Sequence, residues 1–437
     1  MPVDTENTAE ELLAIWPSLD MAERCAAFQR LPRDEEDDLF LQLTSYDQLA
    51  LLNCLSPGER RIWLRLLEPD DAADVIQYAP PEERPGLVAL LDETARREVN
   101  ALLAYQEDAA GGLMSPRFAR LRPDSTIDEA IAYLRRQAGT VETIYYAYAL
   151  DEGQHLQGVV SFRDLFSADR SKKVRDVMRT RFITVPENMD QEAIAQIFAG
   201  HHLLAVPVVD PANRMVGIVT LDDIVHVVRE EASEDIQKLG GTAALDEPYL
   251  ATGFWPMIRK RGGWLAVLFL GEMLTATAMG YFEHEIARAV VLALFIPLII
   301  SSGGNSGSQA TTLIIQAMAT QEVRLADWWR IMRREATIGF VLGIILAVIG
   351  LVRILVWQTI WKPYGPHALH VGLTVATSLV GVVMFGSLAG SMLPFILRRF
   401  GLDPASASAP FVATLVDVTG LVIYFSAASV ILSGLLL

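Results

Sequence analysis

Hydrophobic and polar positions follow three different rhythms along the chain. From residue 19 to residue 102 an apolar residue returns every twelve positions, at Leu19, Leu31, Leu43, Leu55, Leu67, Ala79 and Leu91. The units LSPGERRIWLRL, LEPDDAADVIQY, APPEERPGLVAL and LDETARREVNAL each predict one short amphipathic helix. In the clearest unit Ser56 is the N-cap, Pro57 takes the first helical position and Glu59 completes a capping box. One short helix cannot bury its apolar face alone, so such units stack into a superhelical array. An array of this kind more often presents a surface than performs chemistry.

A second rhythm follows. LMSPRFARLRPDSTIDEAIAYL, from Leu113, pairs with VMRTRFITVPENMDQEAIAQIF, from Val177, and GVVSFRDLF, from Gly158, pairs with GIVTLDDIV, from Gly217. Alternating β-branched runs bracket an amphipathic stretch, so each unit predicts strand, helix, strand, strand, helix. On these residues the segment resembles a tandem CBS-domain pair, a family that often binds adenine nucleotides. The resemblance implies ATP as a regulatory ligand, with Ser161 and Asp164 in one unit and Thr220 and Asp223 in the other supplying hydroxyl and carboxylate. The same residues are equally suited to capping the helix that follows.

The third rhythm is apolar. Five segments are long enough to cross a hydrocarbon core of about 30 Å: Gly263 to Phe282, Ile286 to Ala317, Thr337 to Trp361, His370 to Leu397 and Ala409 to Leu437. Arg259, Lys260 and Arg261 precede the first, Arg324, Arg330, Arg333 and Arg334 follow the second, and Arg398 and Arg399 follow the fourth. The positive-inside rule puts these clusters and the N-terminal region in the cytosol and the C-terminus outside. The opposite loops hold Arg288 and Lys362, with Trp357, Trp361 and Tyr364 as an interfacial belt and Arg353 snorkelling outward. Met1 is followed by Pro2, Asp4 and Glu6, which is not a secretory signal.

Charge divides at the same boundary. From Gly262 onward there are 8 acids and 9 bases, whereas the preceding 261 residues hold 45 acids and 27 bases. So negative a region repels nucleic acid and recruits cations. Cys25 and Cys54 are the two cysteines; a disulfide-built secreted scaffold is excluded, and the pair fits a reducing cytosol. Between the repeat pair and the first span, Glu230, Glu231, Glu234, Asp235, Asp246 and Glu247 form an acidic stretch. It is a solvated helix face unless another acidic surface comes close, in which case like charges need a bridging divalent ion.

Ionisable groups at membrane depth need a reason. Asp417 lies eight residues past Ala409, about 12 Å into its helix at 1.5 Å per residue. There it must be protonated, paired or facing water and a cation. In the second span Pro297, Gly303, Gly304 and Gly307 interrupt a run with Asn305, Ser306, Ser308 and Gln309. The pattern predicts unwound backbone whose freed carbonyls are hard oxygen ligands, against close helix packing as the alternative. Glu272 is a second acid at depth, suited equally to ion contact and to pairing with a helix-end arginine. His367 and His370, with no cysteine nearby, are poor soft-metal ligands.

Taken together, PLIISSGGNSGSQATTLIIQAMAT and DPASASAPFVATLVDVTGLVIYF resemble the MgtE family of magnesium channels and transporters over essentially the whole chain. The resemblance implies a multi-domain membrane protein: a helical N-domain (1–110), a CBS pair (111–232, dividing near 176), an acidic connecting or plug segment (233–262) and an all-α five-helix pore domain (263–437). It implies a homodimer in the cell membrane, with Asp417 of each subunit holding hydrated Mg²⁺ near the two-fold axis. Gly303, Gly304, Asn305, Gly307, Gln309, Ala409, Pro410, Ala413 and Glu272 would line the path, Ala409 offering only its backbone. It further implies closure by cytosolic Mg²⁺ held among Asp70, Asp71, Asp222, Asp223, Glu230, Glu231, Glu234, Asp235, Asp246 and Glu247, tuned by ATP. Oxygen-only lining suits a cation that keeps several waters. The rival classes are a carrier of Co²⁺, Ni²⁺ or Mn²⁺ and a membrane sensor that transports nothing; no nucleophile–base set or Walker loop points to an enzyme.

Overall fold

The computed structural model describes residues 8–433. Pro2, Asp4 and Glu6, and the end of the fifth predicted span beyond residue 433, lie outside the described residues. The chain divides into two compact units, residues 1–231 and 232–437.

The first unit begins with one helix for each twelve-residue period: α1 (Ala9–Ile15), α2 (Met21–Phe28), α3 (Arg33–Gln42), α4 (Ser45–Cys54), α5 (Pro57–Leu64), α6 (Pro69–Tyr78), α7 (Arg84–Val88) and α8 (Glu93–Leu102). The recurring apolar position is where consecutive helices meet: Leu43, Leu55, Leu67, Ala79 and Leu91 are all buried there. The Ser56–Glu59 capping box forms in both directions. Phe28, Phe40 and Trp63 close the centre, with ring centroids 5.1 to 6.4 Å apart. Cys25 of α2 and Cys54 of α4 form a disulfide, with Cα atoms 6.3 Å apart. The composition predicts two reduced thiols, because pairing of surface positions on neighbouring helices depends on how the helices stack.

After the short α9 (Ala110–Leu113) come two copies of one module. The first is β1 (Arg120–Leu121), α10 (Ile127–Gln137), β2 (Tyr146–Leu150), β3 (Leu156–Ser161) and α11 (Phe162–Ser167). The second is β4 (Val185–Pro186), α12 (Gln191–His201), β5 (Ala205–Val209), β6 (Met215–Thr220) and α13 (Leu221–Leu239). In each, a parallel pair is joined to an antiparallel one. The registers match: Tyr146 faces Ser161 as Ala205 faces Thr220, so both hydroxyls stand at the same strand-to-helix step.

The second unit holds α14 (Phe254–Tyr281), α15 (Glu283–Arg288), α16 (Ile296–Ala319), α17 (Trp328–Trp361), α18 (Ala368–Arg399) and α19 (Ala409–Ile431). Among the described residues five helical segments are long and apolar enough to cross a membrane, one from each predicted span. The basic residues 259–261 lie inside α14, which starts nine residues before its predicted span. Tyr364 is buried rather than part of an interfacial belt; its hydroxyl meets Arg353 at 3.3 Å, and the arginine lies over the Trp357 ring.

The predicted unwinding at Gly303–Gly307 is corrected. The segment α16 is helical throughout, and the irregular stretch lies earlier, in a tight turn at Val290–Phe295 where the Tyr424 hydroxyl donates to the Leu292 carbonyl at 2.9 Å. Pro297 starts α16, where a missing N–H is harmless. The glycines serve close packing instead: a Cβ on Gly303 would strike Val382 and Val416, one on Gly307 would strike Val412, and one on Gly386 or Gly390 would land on the Gly303 or Gly307 carbonyl. Ser306 and Ser387 hydroxyls pair across the seam at 2.8 Å, and the Thr311 hydroxyl sits 2.9 Å from both the Gly307 and Gly390 carbonyls. Because backbone meets backbone there, Gly386→Val should destabilise the α16–α18 pair by about 3 kcal/mol or more. The check is a thermal melt of the detergent-purified protein, where an unchanged midpoint would contradict this packing.

Candidate ion path and cytosolic carboxylate cluster

Small residues bring α19 close to α16. Ala413 lies 3.6 Å from where a Cβ on Gly304 would stand, and the Ser308 hydroxyl donates to the Ala409 carbonyl at 3.4 Å. Ser408 caps α19 and Pro410 occupies its first turn. Gly303, Gly304 and Gly307 are buried, which assigns them to helix packing, whereas Asn305 and Gln309 are exposed on the chain's surface. The exposed polar strip on α16 is longer than the motif predicts: Ser301, Asn305, Gln309, Thr312 and Gln316 share one helix face.

Asp417 is half-buried on α19, and its carboxyl neighbours that of Glu272 on α14 at hydrogen-bonding range. Glu272 therefore meets the other acid at depth and not an arginine. Gly271 lets the helices approach, since a Cβ there would stand 2.9 Å from the Thr414 methyl. An open groove of about 580 Å³ beside them is lined by Leu265, Leu268, Phe269, Glu272 and Thr414, among others.

In the same unit, the segment before α14 is fastened to the start of α19. Lys238 in the last turn of α13 pairs with Asp403 at 2.7 Å and with Glu234. Although burial works against its charge, the two carboxylates raise the Lys238 pKa above the ordinary lysine value. Gly241, at φ +72°, passes so close to Trp264 and Pro410 that a Cβ would stand 3.0 and 3.2 Å from them. The Trp264 indole donates to the Ser408 hydroxyl at 3.2 Å. Asp246 pairs with Lys260 at 2.6 Å, Asp235 lies on α13, and Glu247 lies in the loop that follows.

In the first unit, carboxylates of the helical array and of the repeat pair come together. Asp70 on α6 is buried, with Oδ1 lacking a hydrogen-bond partner. Burial, then the charges of Asp223, Glu142 and Asp71, push its pKa well above the carboxylate range. Asp223 is pushed up to about 7 by burial and by Asp222 and Asp71, against the Thr220 hydroxyl that donates to it at 2.7 Å. Glu142 is pushed to about 7 by burial, Glu68 and more distant acids. Asp74 and Asp71 are raised for the same reasons, the former feeling Glu230, while His226 partly relieves Asp71. Glu231 accepts from Gln191 at 2.7 Å.

The structure thus unites Asp70, Asp71, Asp222, Asp223 and Glu230. It adds Glu68, Asp74 and Glu142, which carry no local sequence signal because only stacking brings them near. Among the described residues no three His, Cys, Asp or Glu side chains converge as a closed metal-binding set. At the nucleotide positions, Ser161 caps α11 by accepting from the Asp164 amide at 3.1 Å, and Asp164 pairs with Arg179 at 3.3 Å.

Comparison with known proteins follows this division. The MgtE intracellular N domain matches residues 7–108, CBS domains match 110–171 and 174–230, and the divalent cation transporter domain of MgtE matches 296–427. Magnesium transporter MgtE of Thermus thermophilus is 40% identical over 97% of this chain and 93% of its own length. Its counterpart in Bacillus subtilis is 29% identical over 97% and 92%. The solved cytosolic domain of the Mg²⁺ channel MgtE in complex with ATP is 38% identical, covering 51% of this chain and 91% of that one at a TM-score of 0.48. With 40% identity to a curated magnesium transporter over nearly the full length, and three family domains matched in order, the chain belongs to the MgtE family of divalent cation transporters.

Proposed function

We propose that this chain carries Mg²⁺ across the cell membrane along a path between two copies, and that cytosolic Mg²⁺ closes it. The observation that supports this most is the polar strip on α16. Ser301, Asn305, Gln309, Thr312 and Gln316 are exposed on the lone chain along a membrane-crossing helix. Lipid cannot satisfy three carboxamides and two hydroxyls, so this face meets water or protein. A second copy placed by two-fold symmetry supplies both, since equal surfaces meet and enclose a channel. Asp417 of each copy then faces the axis, with Glu272 beside it.

Hydrated Mg²⁺ suits such a path. It gives up water reluctantly, so a few carboxylates and carbonyls that accept hydrogen bonds from its water shell serve better than a closed cage. Two facing Asp417 carboxylates repel when alone, and a dication between them relieves the repulsion. The basic clusters at 259–261, 324–334 and 398–399 support a cytosolic N-terminal region and an outer C-terminus.

Closure uses the cytosolic cluster. Asp70, Asp71, Asp222 and Asp223 oppose each other unless cations or protons intervene, so Mg²⁺ favours the docked arrangement. The connecting segment relays this through Lys238–Asp403 and the Gly241–Pro410 contact to the first turn of α19. ATP binds the repeat pair at Ser161 and Asp164 and at Thr220 and Asp223; because Asp223 also belongs to the cluster, nucleotide and Mg²⁺ influence one another. Purified protein in liposomes holding a Mg²⁺-sensitive dye tests the function directly. Flux well above empty liposomes, resisted poorly by Co²⁺, Ni²⁺ or Mn²⁺, is expected; no flux would leave a sensor.

A further inference from the structure

We propose that Arg117 is a built-in cation of the carboxylate cluster, which holds the helical array on the repeat pair and lowers the divalent-cation concentration needed to keep them docked. Its role in regulation rests on the proposal that cytosolic Mg²⁺ closes the path.

The main chain around Arg117 is fixed to the repeat pair. The Ser115 amide donates to the Ile218 carbonyl at 2.8 Å, and the Ile218 amide donates back to the Ser115 carbonyl at 3.0 Å. Ile218 lies on β6, the strand that leads directly into Asp222 and Asp223. The Glu142 amide donates to the Arg117 carbonyl at 2.7 Å, and the Ser115 hydroxyl donates to the Glu142 carboxylate at 3.1 Å. Residues 115–117 therefore hold one acid of the cluster and the strand that delivers two more.

The side chain reaches the other way. Its Nη1 donates to Glu68 at 3.0 Å, while Nε and Nη2 both donate to one oxygen of Glu98, at 3.0 and 2.9 Å. Glu68 precedes α6, which carries Asp70, Asp71 and Asp74, and Glu98 lies on α8. The Arg117 side chain is 27% exposed, so its ion pairs are screened less than those of a free surface arginine. A planar fork with fixed donors suits this three-bonded geometry in a way a lysine does not. Glu68 joins this arginine to the cluster: it pairs with Arg117, and its charge acts on both Asp71 and Glu142. A tethered positive charge here performs part of the bridging that mobile cations perform, and it is present at all Mg²⁺ concentrations.

The test is limited proteolysis of the purified full-length protein across a Mg²⁺ series and in chelator. Arg117→Gln should raise the half-protecting Mg²⁺ concentration about three- to tenfold, as loss of a partly buried, charge-assisted pair implies. Saturating Mg²⁺ should still give it full protection, a sign of intact folding. Arg117→Glu should shift the midpoint further, and Arg117→Glu combined with Glu98→Arg should recover most of the loss. The role is overturned if Arg117→Gln titrates like the native protein and is cut at the same rate in chelator. It is also overturned if saturating Mg²⁺ and the charge swap both fail to restore protection. Should the native protein show no response to Mg²⁺, the regulatory proposal fails separately. Arg117 is then judged in chelator alone, where faster cutting of Arg117→Gln supports the clamp and equal cutting refutes it.

Discussion

Asparagine at position 417 should lower Mg²⁺ flux into liposomes about thirtyfold or more while leaving the protein folded. At about 4 Å and an effective dielectric of 20, a pair of unit charges attracts with roughly 4 kcal/mol. If desolvation removes half of that, the roughly 2 kcal/mol remaining per carboxylate is still about thirtyfold. Asparagine keeps the shape and can accept hydrogen bonds from an ion's water shell, so the loss isolates the charge. Folding should survive because Asp417 is half-buried beside another acid, so removing its charge relieves repulsion. Glu272→Gln should reduce flux less, since its side chain is exposed next to Asp417 and not central on α19. Equal flux in native protein and Asp417→Asn, measured with the dye assay, would remove Asp417 from the ion path.

The second large effect is regulatory. Asp70→Asn with Asp223→Asn should keep the cytosolic region protected from protease without Mg²⁺, cutting its Mg²⁺ dependence about tenfold or more. Each substitution takes a charge from a place where burial and neighbouring acids oppose it. The native protein should show the same repulsion as a pH dependence. Asp223 and Glu142 have pKa values near 7 when docked, raised by burial and in part by Asp71 and Glu68 of the helical array, so both should fall when the array leaves. The docked form therefore binds more protons, and without Mg²⁺ docking should weaken as pH rises from about 4 to about 7 and then level off. Saturating Mg²⁺ should flatten that slope, because the ion takes the protons' place. Protease protection that is stronger at pH 8 than at pH 5.5 in chelator would contradict the cluster's electrostatics.

Much of the fold is legible because its signals are local. The twelve-residue return of leucine marks the inter-helix turns, the Ser56–Glu59 box marks a helix start, and the paired hydroxyls at 161 and 220 mark equivalent steps of two modules. The five spans declare themselves by length and apolarity. What the sequence leaves open depends on which surfaces meet. Glycine supports either unwinding or close approach, and only the facing glycines of α18 decide for approach at Gly303 and Gly307. Glu272 finds Asp417 across 145 residues, and Lys238 finds Asp403 across 165. Asp70 reads as a surface acid within an ordinary helix, yet it is buried against a module that begins forty residues later. The disulfide between Cys25 and Cys54 has the same origin: neighbouring helices align positions that composition treats separately.

In the proposed closure, the connecting segment is the element that carries the signal. Along α13, Asp222 and Asp223 stand in the first turn and Lys238 in the last. The Lys238–Asp403 pair and the Gly241 approach to Pro410 lie at the turn that opens α19, eight residues before Asp417.

The central claim, that the α16 strip and Asp417 face water, is tested most directly by thiol labelling of Asn305→Cys in a background carrying Cys25→Ser and Cys54→Ser. The control is Val348→Cys, a residue exposed on α17 among apolar neighbours. In membranes, a small charged thiol reagent should modify Cys at 305 rapidly and be slowed by Mg²⁺, while Cys at 348 stays unreactive. Equal inertness at both positions would place the strip away from any aqueous passage and contradict the account.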